Sequence, residues 1–219
     1  MTPEVTALAD AYGDLAALTR ELDEPRSWQP TGCSGWAVRD LVHHLLGDAQ
    51  RALVALHSPA AEPPDRDHAT YWSDAPGQDD PESRGLRATR TMASAWRLDA
   101  LLGTYRETAA AVVRCAAEVA PGARVATQGH VLLVDHLVAT LVVEAGLHHL
   151  DLVAHLDLPG PRPRALAVVR QTLDAVLGRP CPLPLYDAGW ALVATGRRPP
   201  TVAERELLGL DADRLPLLG

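Results

Sequence analysis

The stretch VVEAGLHHLDLVAHL, residues 142–156, constrains this chain more than any other part of it. Its spacing predicts a helix from about 131 to 156, and Leu133, Leu137, Val138, Leu141, Val142, Val143 and Leu147 point to every side of that helix. A helix apolar all round belongs inside a fold. Yet this one carries a glutamate, an aspartate and three histidines. At about 100° per residue, His148, Asp151 and His155 all fall within about 40° of Glu144, whereas His149 lies about 140° away and cannot act on the same small target. His155, two turns beyond His148, is expected to line the same face or to sit satisfied in the core. A buried carboxylate without a partner is costly or takes up a proton. No arginine or lysine occurs between Arg124 and Arg162 to neutralise it from within the segment. A divalent cation held by Glu144 and His148, one turn apart, would satisfy both groups at once.

Two ligands on one helix leave a site incomplete, and a second doublet, His43-His44, lies on another amphipathic helix. That helix is expected from about Trp36 to Leu56, with Val38, Leu41, Val42, Leu45, Ala49, Ala52, Leu53 and Leu56 on its apolar face. His43 and His44 lie at opposite flanks of that face, each about 120–140° from its centre, so periodicity does not choose between them. Asp40 precedes His44 by one turn and Asp48 follows it by one turn. Either carboxylate could hold the second nitrogen of a ligating imidazole.

The remaining pattern is helical, with almost nothing that reads as a strand. A first helix is expected over 3–23, opened by Thr2 as cap and Pro3 at the first position. Residues 57–81 lack periodicity and are rich in proline and aspartate. So long a connection in a compact domain is more often functional than idle, and Tyr71-Trp72 is its one aromatic feature. A short helix over 82–96 and a long one over 97–118 follow. Beyond the run GPRPR come helices at 163–177, around 190–194 and at 201–208. The expectation is an all-α chain: an antiparallel four-helix bundle over 1–158 with a small helical C-terminal extension over 159–219.

Composition sets the outer bounds. The 219 residues, 47% of them hydrophobic, suffice for one full core, and a net charge of −8 argues against nucleic acid or an anionic membrane surface as the main partner. The first residues lack the charged and apolar regions of a signal peptide, and no uninterrupted apolar run reaches the roughly 18–20 residues of a membrane span. A cytoplasmic location is expected. Cys33, Cys115 and Cys181 lie far apart and are odd in number, so they suggest reduced structural thiols rather than a disulfide framework. All basic residues are arginine and phenylalanine is missing, which fits a GC-rich and hence actinobacterial source.

CSGWAVRDLVHHLLGD at 33–48 and EAGLHHLDL at 144–152 together resemble the signature of the mycothiol-dependent maleylpyruvate isomerase family, among the DinB-like metal-binding four-helix bundles. TYWSD at 70–74, RATRTMASAW at 87–96 and ATGRRPPTVAERELLG at 194–209 are also similar to members of that group. The resemblance implies a DinB-like bundle and assigns His44, rather than His43, to join Glu144 and His148 as metal ligands, with Asp40 and Asp151 orienting them. Two histidines and a glutamate leave coordination positions open, as in catalytic zinc sites, although the same set suits iron(II).

The resemblance further implies that Zn2+ activates the thiol of mycothiol for attack on a small electrophile. The outcome would be isomerisation or S-transfer by a monomer or homodimer. Tyr71 and Trp72 would close over the pocket, and Arg197 or Arg198 would meet a substrate carboxylate. Many relatives carry an arginine three residues before the glutamate, where this chain has Leu141. The alternative is a non-catalytic, metal-stabilised stress or binding module of the same superfamily.

Overall fold

The computed structural model describes residues 1–74 and 84–218. α1 (Pro3–Leu18) starts as expected, with Thr2 Oγ1 accepting from the amide of Val5 at 3.3 Å, and runs on as a 3-10 turn over Thr19–Glu21. A single turn, α2 (Glu24–Ser27), follows under an Asp23 cap. α3 (Val38–Leu56) begins two residues later than the spacing predicts. Asp40 Oδ2 accepts the Ala37 amide at 2.9 Å there and satisfies a donor that the helix leaves unpaired. α4 (Arg84–Ala95) and α5 (Leu98–Glu118) follow; the expected helix start at 82 and the end of the long connection fall outside the described residues.

The all-helical expectation holds, with, among the described residues, one small sheet that the spacing did not reveal. β1 (Arg124–Thr127) and β2 (His130–Leu133) form an antiparallel hairpin with Thr127 opposite His130, closed by Gln128 and Gly129 at φ 49° and 84°. Positive φ at both central residues matches the right-handed twist of a two-residue hairpin. The 57–74 connection lies along it: Ala126 N donates to Ser58 O at 2.8 Å and Ala60 N to Arg124 O at 3.0 Å. The hairpin takes up the first residues expected of the histidine-rich helix, so α6 runs over Val134–Val153. His155, beyond its end, is exposed and lines no core.

α1, α3, α5 and α6 make the bundle, each of α1 and α3 packing on both α5 and α6. Leu8 and Leu15 of α1, Leu41 of α3, Leu101 and Val112 of α5 and Val138 and Val142 of α6 are fully buried in its core. The extension comprises α7 (Pro163–Leu177), α8 (Asp187–Ala194) and α9 (Val202–Leu208). Val169, Leu173, Trp190 and Leu208 form a second core there, and α6 supplies Val143 and Leu147 to it. This explains the helix that is apolar all round: one side faces the bundle and the other faces the extension. Each of those two side chains contributes about 1.5–3 kcal/mol on burial. By length and composition alone α6 could cross a membrane, but most of it is buried within the fold.

Candidate metal centre

Burial of α6 on two sides leaves Glu144 and His148 facing α3. Glu144, His148 and His44 of α3 bring a ligand atom each to within 4.8 Å of the others. His148 Nε2 is 3.2 Å from Glu144 Oε2, and the rings of His44 and His148 meet edge to face with centroids 4.9 Å apart. Trp36 packs edge-on against the other side of His44. Among the described residues His43 does not join this cluster, and His149 points away, its Nε2 3.0 Å from Pro159 O.

The far side of His148 is fully engaged. Asp151 Oδ2 lies 3.0 Å from Nδ1, and the Cys33 thiol donates to the same oxygen at 3.1 Å. Arg197 forks onto the carboxylate, Nε donating to Oδ1 at 2.8 Å and Nη2 to Oδ2 at 2.7 Å. Asp151 is 1% exposed. Burial alone would raise its pKa, but the bonds from His148 and Arg197 hold it well below the usual carboxylate range. The loop before α3 closes over it: Gly32 N donates to Asp151 O at 2.9 Å, and a Cβ at position 32 would lie 2.6 Å from Asp151 Oδ1.

Cys33, His148 and Asp151 are also close enough to share an ion. With a guanidinium on both carboxylate oxygens, that side is already neutralised and has no place for a second cation. A carboxylate on Nδ1–H leaves the Nε2 lone pair directed at Glu144 and His44, the orientation a ligating histidine needs.

On the α3 side the partner of His44 is Asp48, not Asp40, which is spent on capping the helix. Asp48 Oδ2 lies 3.2 Å from His44 Nε2 but receives no hydrogen bond from the described residues. Burial, aided by the negative charge of Glu144, pushes the Asp48 carboxyl up to about 7. Burial and the neighbouring His148 lower His44 to about 4. A buried, orphaned carboxylate oxygen against a neutral imidazole is an arrangement that a divalent cation would relieve, and the nitrogen and oxygen donors suit Zn2+ or iron(II). The residues therefore fit a metal.

His148 behaves oppositely. Burial disfavours its charge, but the bonds to Asp151, Cys33 and Glu144 outweigh burial and raise its pKa. In the metal-free protein it is an imidazolium between two carboxylates. That contribution to stability is fully present below the unfolded value near 6.5 and is lost as pH rises through the higher folded value. Ligation must displace this proton, so cation affinity should climb about tenfold per pH unit until His148 titrates and then level off. Competition with a chromophoric chelator between about pH 6 and 9 checks this, and a flat profile would contradict it.

The cluster opens into a cleft of about 280 Å³. Tyr71 and Trp72, on the 3-10 turn Thr70–Asp74, stand in its wall beside Thr127, Gln128 and His130 of the hairpin. Gln128 Nε2 donates to Tyr71 Oη at 2.5 Å, and the Trp72 indole donates to His68 O at 2.8 Å. Ala52, Leu137 and Leu141 supply apolar surface, and Arg51 supplies a cation.

Neither Arg197 nor Arg198 lines this cleft. Arg197 is committed to Asp151, and Arg198 forks onto Glu204, which caps α9. The resemblance offered one or the other for a substrate carboxylate, but an arginine pair on a loop gives no hint in the sequence of the protein carboxylates that take it up. Sequence reasoning missed Cys33 and the hairpin residues, which carry no pattern, and Arg51, which stands seven residues after His44 on the same helix face.

No curated protein sequence matches this chain. Its fold is similar to the crystal structure of the mycothiol-dependent maleylpyruvate isomerase, with a TM-score of 0.55 at 17% identity over 80% of this chain and 68% of that one. A histidine-to-alanine mutant of that enzyme gives 0.53 at 18% identity over the same shares. These likenesses support the DinB-like helical fold. The family model of the mycothiol maleylpyruvate isomerase N-terminal domain matches residues 8–153, which span all four bundle helices and the three clustered ligands. The chain belongs to the mycothiol maleylpyruvate isomerase N-terminal domain family.

Proposed function

We propose that the protein is a divalent-cation-dependent, thiol-using enzyme, with Zn2+ at His44, Glu144 and His148 and mycothiol as cosubstrate. It joins the thiol to a small electrophile, either transiently, as an isomerase, or permanently, as an S-transferase. The observation that carries this reading is the convergence of His44, Glu144 and His148, whose donor atoms lie within 4.8 Å of one another, with His44 and Glu144 on the wall of an open cleft. A bound Zn2+ would supply Lewis acidity, lowering the pKa of a thiol so that it reacts as thiolate near neutral pH.

The chain's own residues do the rest. Asp151, gripped by Arg197, fixes the His148 tautomer and ring. Trp36 and Asp48 hold His44. Tyr71 and Trp72 wall the cleft on the side of the long connection and limit its width. At about 280 Å³ the cleft sits at the small end of ligand sites, so the electrophile must be small, and the bulk of the thiol extends towards solvent.

Zn2+-loaded protein, mycothiol and a conjugated electrophile should give thiol-dependent turnover that disappears on chelation and returns with Zn2+. A fully metallated protein that neither binds mycothiol nor turns over would overturn this reading in favour of a metal-stabilised binding module.

A further inference from the structure

Arg51 is the one arginine among the described residues that line the cleft. Seven residues separate it from His44, so the two lie within about 20° of each other on α3, with Asp48 between them. Asp48 joins them physically: Oδ1 accepts from Arg51 Nη2 while Oδ2 faces His44 Nε2. This carboxylate is 9% exposed, whereas the Arg51 side chain is 54% exposed. Asp48 thus anchors one edge of the guanidinium. Nη2 keeps a second hydrogen, and with no partner for Nε or Nη1 among the described residues, Nη2 and whichever of them lies on the edge away from Asp48 form a parallel pair for a ligand.

Glu144 and Arg51 bring charges of opposite sign to the cleft, and Ala52, Leu137 and Leu141 place apolar surface in the same cavity. Leu141 contributes only hydrocarbon, so anion recognition cannot come from that position. A guanidinium with free parallel donors matches a carboxylate in a way that a point charge does not.

We propose that Arg51, positioned by Asp48, is the specificity-determining residue of this cleft. It selects electrophiles that carry a carboxylate, and holds that carboxylate so that the reactive carbon lies towards His44, Glu144 and His148. The inference rests on the functional reading above for the identity of the reaction, and on the cleft's own geometry for the anion.

Calorimetric titration of the Zn2+-loaded protein with succinate and with dimethyl succinate tests it without any chemistry taking place. Wild type should favour the acid by about tenfold or more, as a charge-assisted fork implies. Arg51→Gln should abolish that preference at unchanged zinc content, and Arg51→Lys should keep part of it. Equal succinate affinity in wild type and Arg51→Gln would overturn the proposal, because the anion would then be held by the cation or elsewhere. A collapse of the preference in Arg51→Gln in a protein without thiol-dependent turnover would sink the enzyme reading and leave the anion site standing. Turnover without any effect of Arg51 on acid-over-ester selectivity would do the reverse.

Discussion

Glu144→Ala protein should fold and lose its cation. Glu144 is the one carboxylate of the three clustered ligands, so its removal takes away both a bond and the site's negative charge. Changing groups that merely orient ligands typically costs 10–100-fold in metal affinity, so removing a ligand should cost more than about 100-fold. The helix survives, because alanine is the best helix former and α6 is held by two cores. Elemental analysis after dialysis, with circular dichroism as the check on folding, should show near-zero zinc in a helical protein. His44→Ala should behave alike, whereas His43→Ala should keep a full equivalent. Stoichiometric zinc in Glu144→Ala, or loss of zinc in His43→Ala alone, would refute the ligand set.

Asp151→Ala should be the most damaging single change near the site. The carboxylate is 1% exposed and takes up both a guanidinium and an imidazole. Its removal leaves Arg197, itself 17% exposed, as an uncompensated buried charge. Breaking a buried ion pair from one side costs about 3–5 kcal/mol. The same change frees the His148 ring and should lower zinc affinity by about 10–100-fold. Urea denaturation of the metal-free protein reads the first effect and zinc titration the second. Adding Arg197→Met to Asp151→Ala should restore part of the stability and none of the zinc affinity, because it removes the stranded charge without re-orienting the imidazole. A loss below about 1 kcal/mol in Asp151→Ala would show that the network adds little to the fold.

The long helices and the order of the bundle were legible in the sequence, because each buries a continuous apolar stripe that periodicity reveals. The angular argument on α6 also separated Glu144 and His148 from His149. Spacing stopped short at His43 and His44: both flank the apolar face, and what distinguishes them is contact with Trp36 and with a helix about 100 residues away in the chain. The hairpin escaped because its turn, Gln128-Gly129, lacks the Asn-Gly or Asp-Gly signal and its strands are short, so the helical pattern of α6 appeared to run back through them. The pairing of Arg197 with Asp151 escaped for the same kind of reason. Which carboxylate claims an arginine is decided by tertiary packing, here the meeting of the extension with the end of α6.

His44, Glu144 and His148 stand on bundle helices, whereas Tyr71, Trp72, Thr127, Gln128 and His130 of the cleft wall come from the 57–74 connection and the hairpin, two segments that hydrogen-bond to each other. In the proposed reading, the ion-binding triad and the shape of the cleft's rim are thereby carried by separable parts of the chain. Insertions or substitutions in the hairpin turn or around Tyr71 can re-cut the shape of the cleft while α3 and α6 keep their packing. In the proposed reading, a scaffold divided in this way can accept electrophiles of new shape by drift in its rim, with the triad and the Arg51 anchor inherited intact.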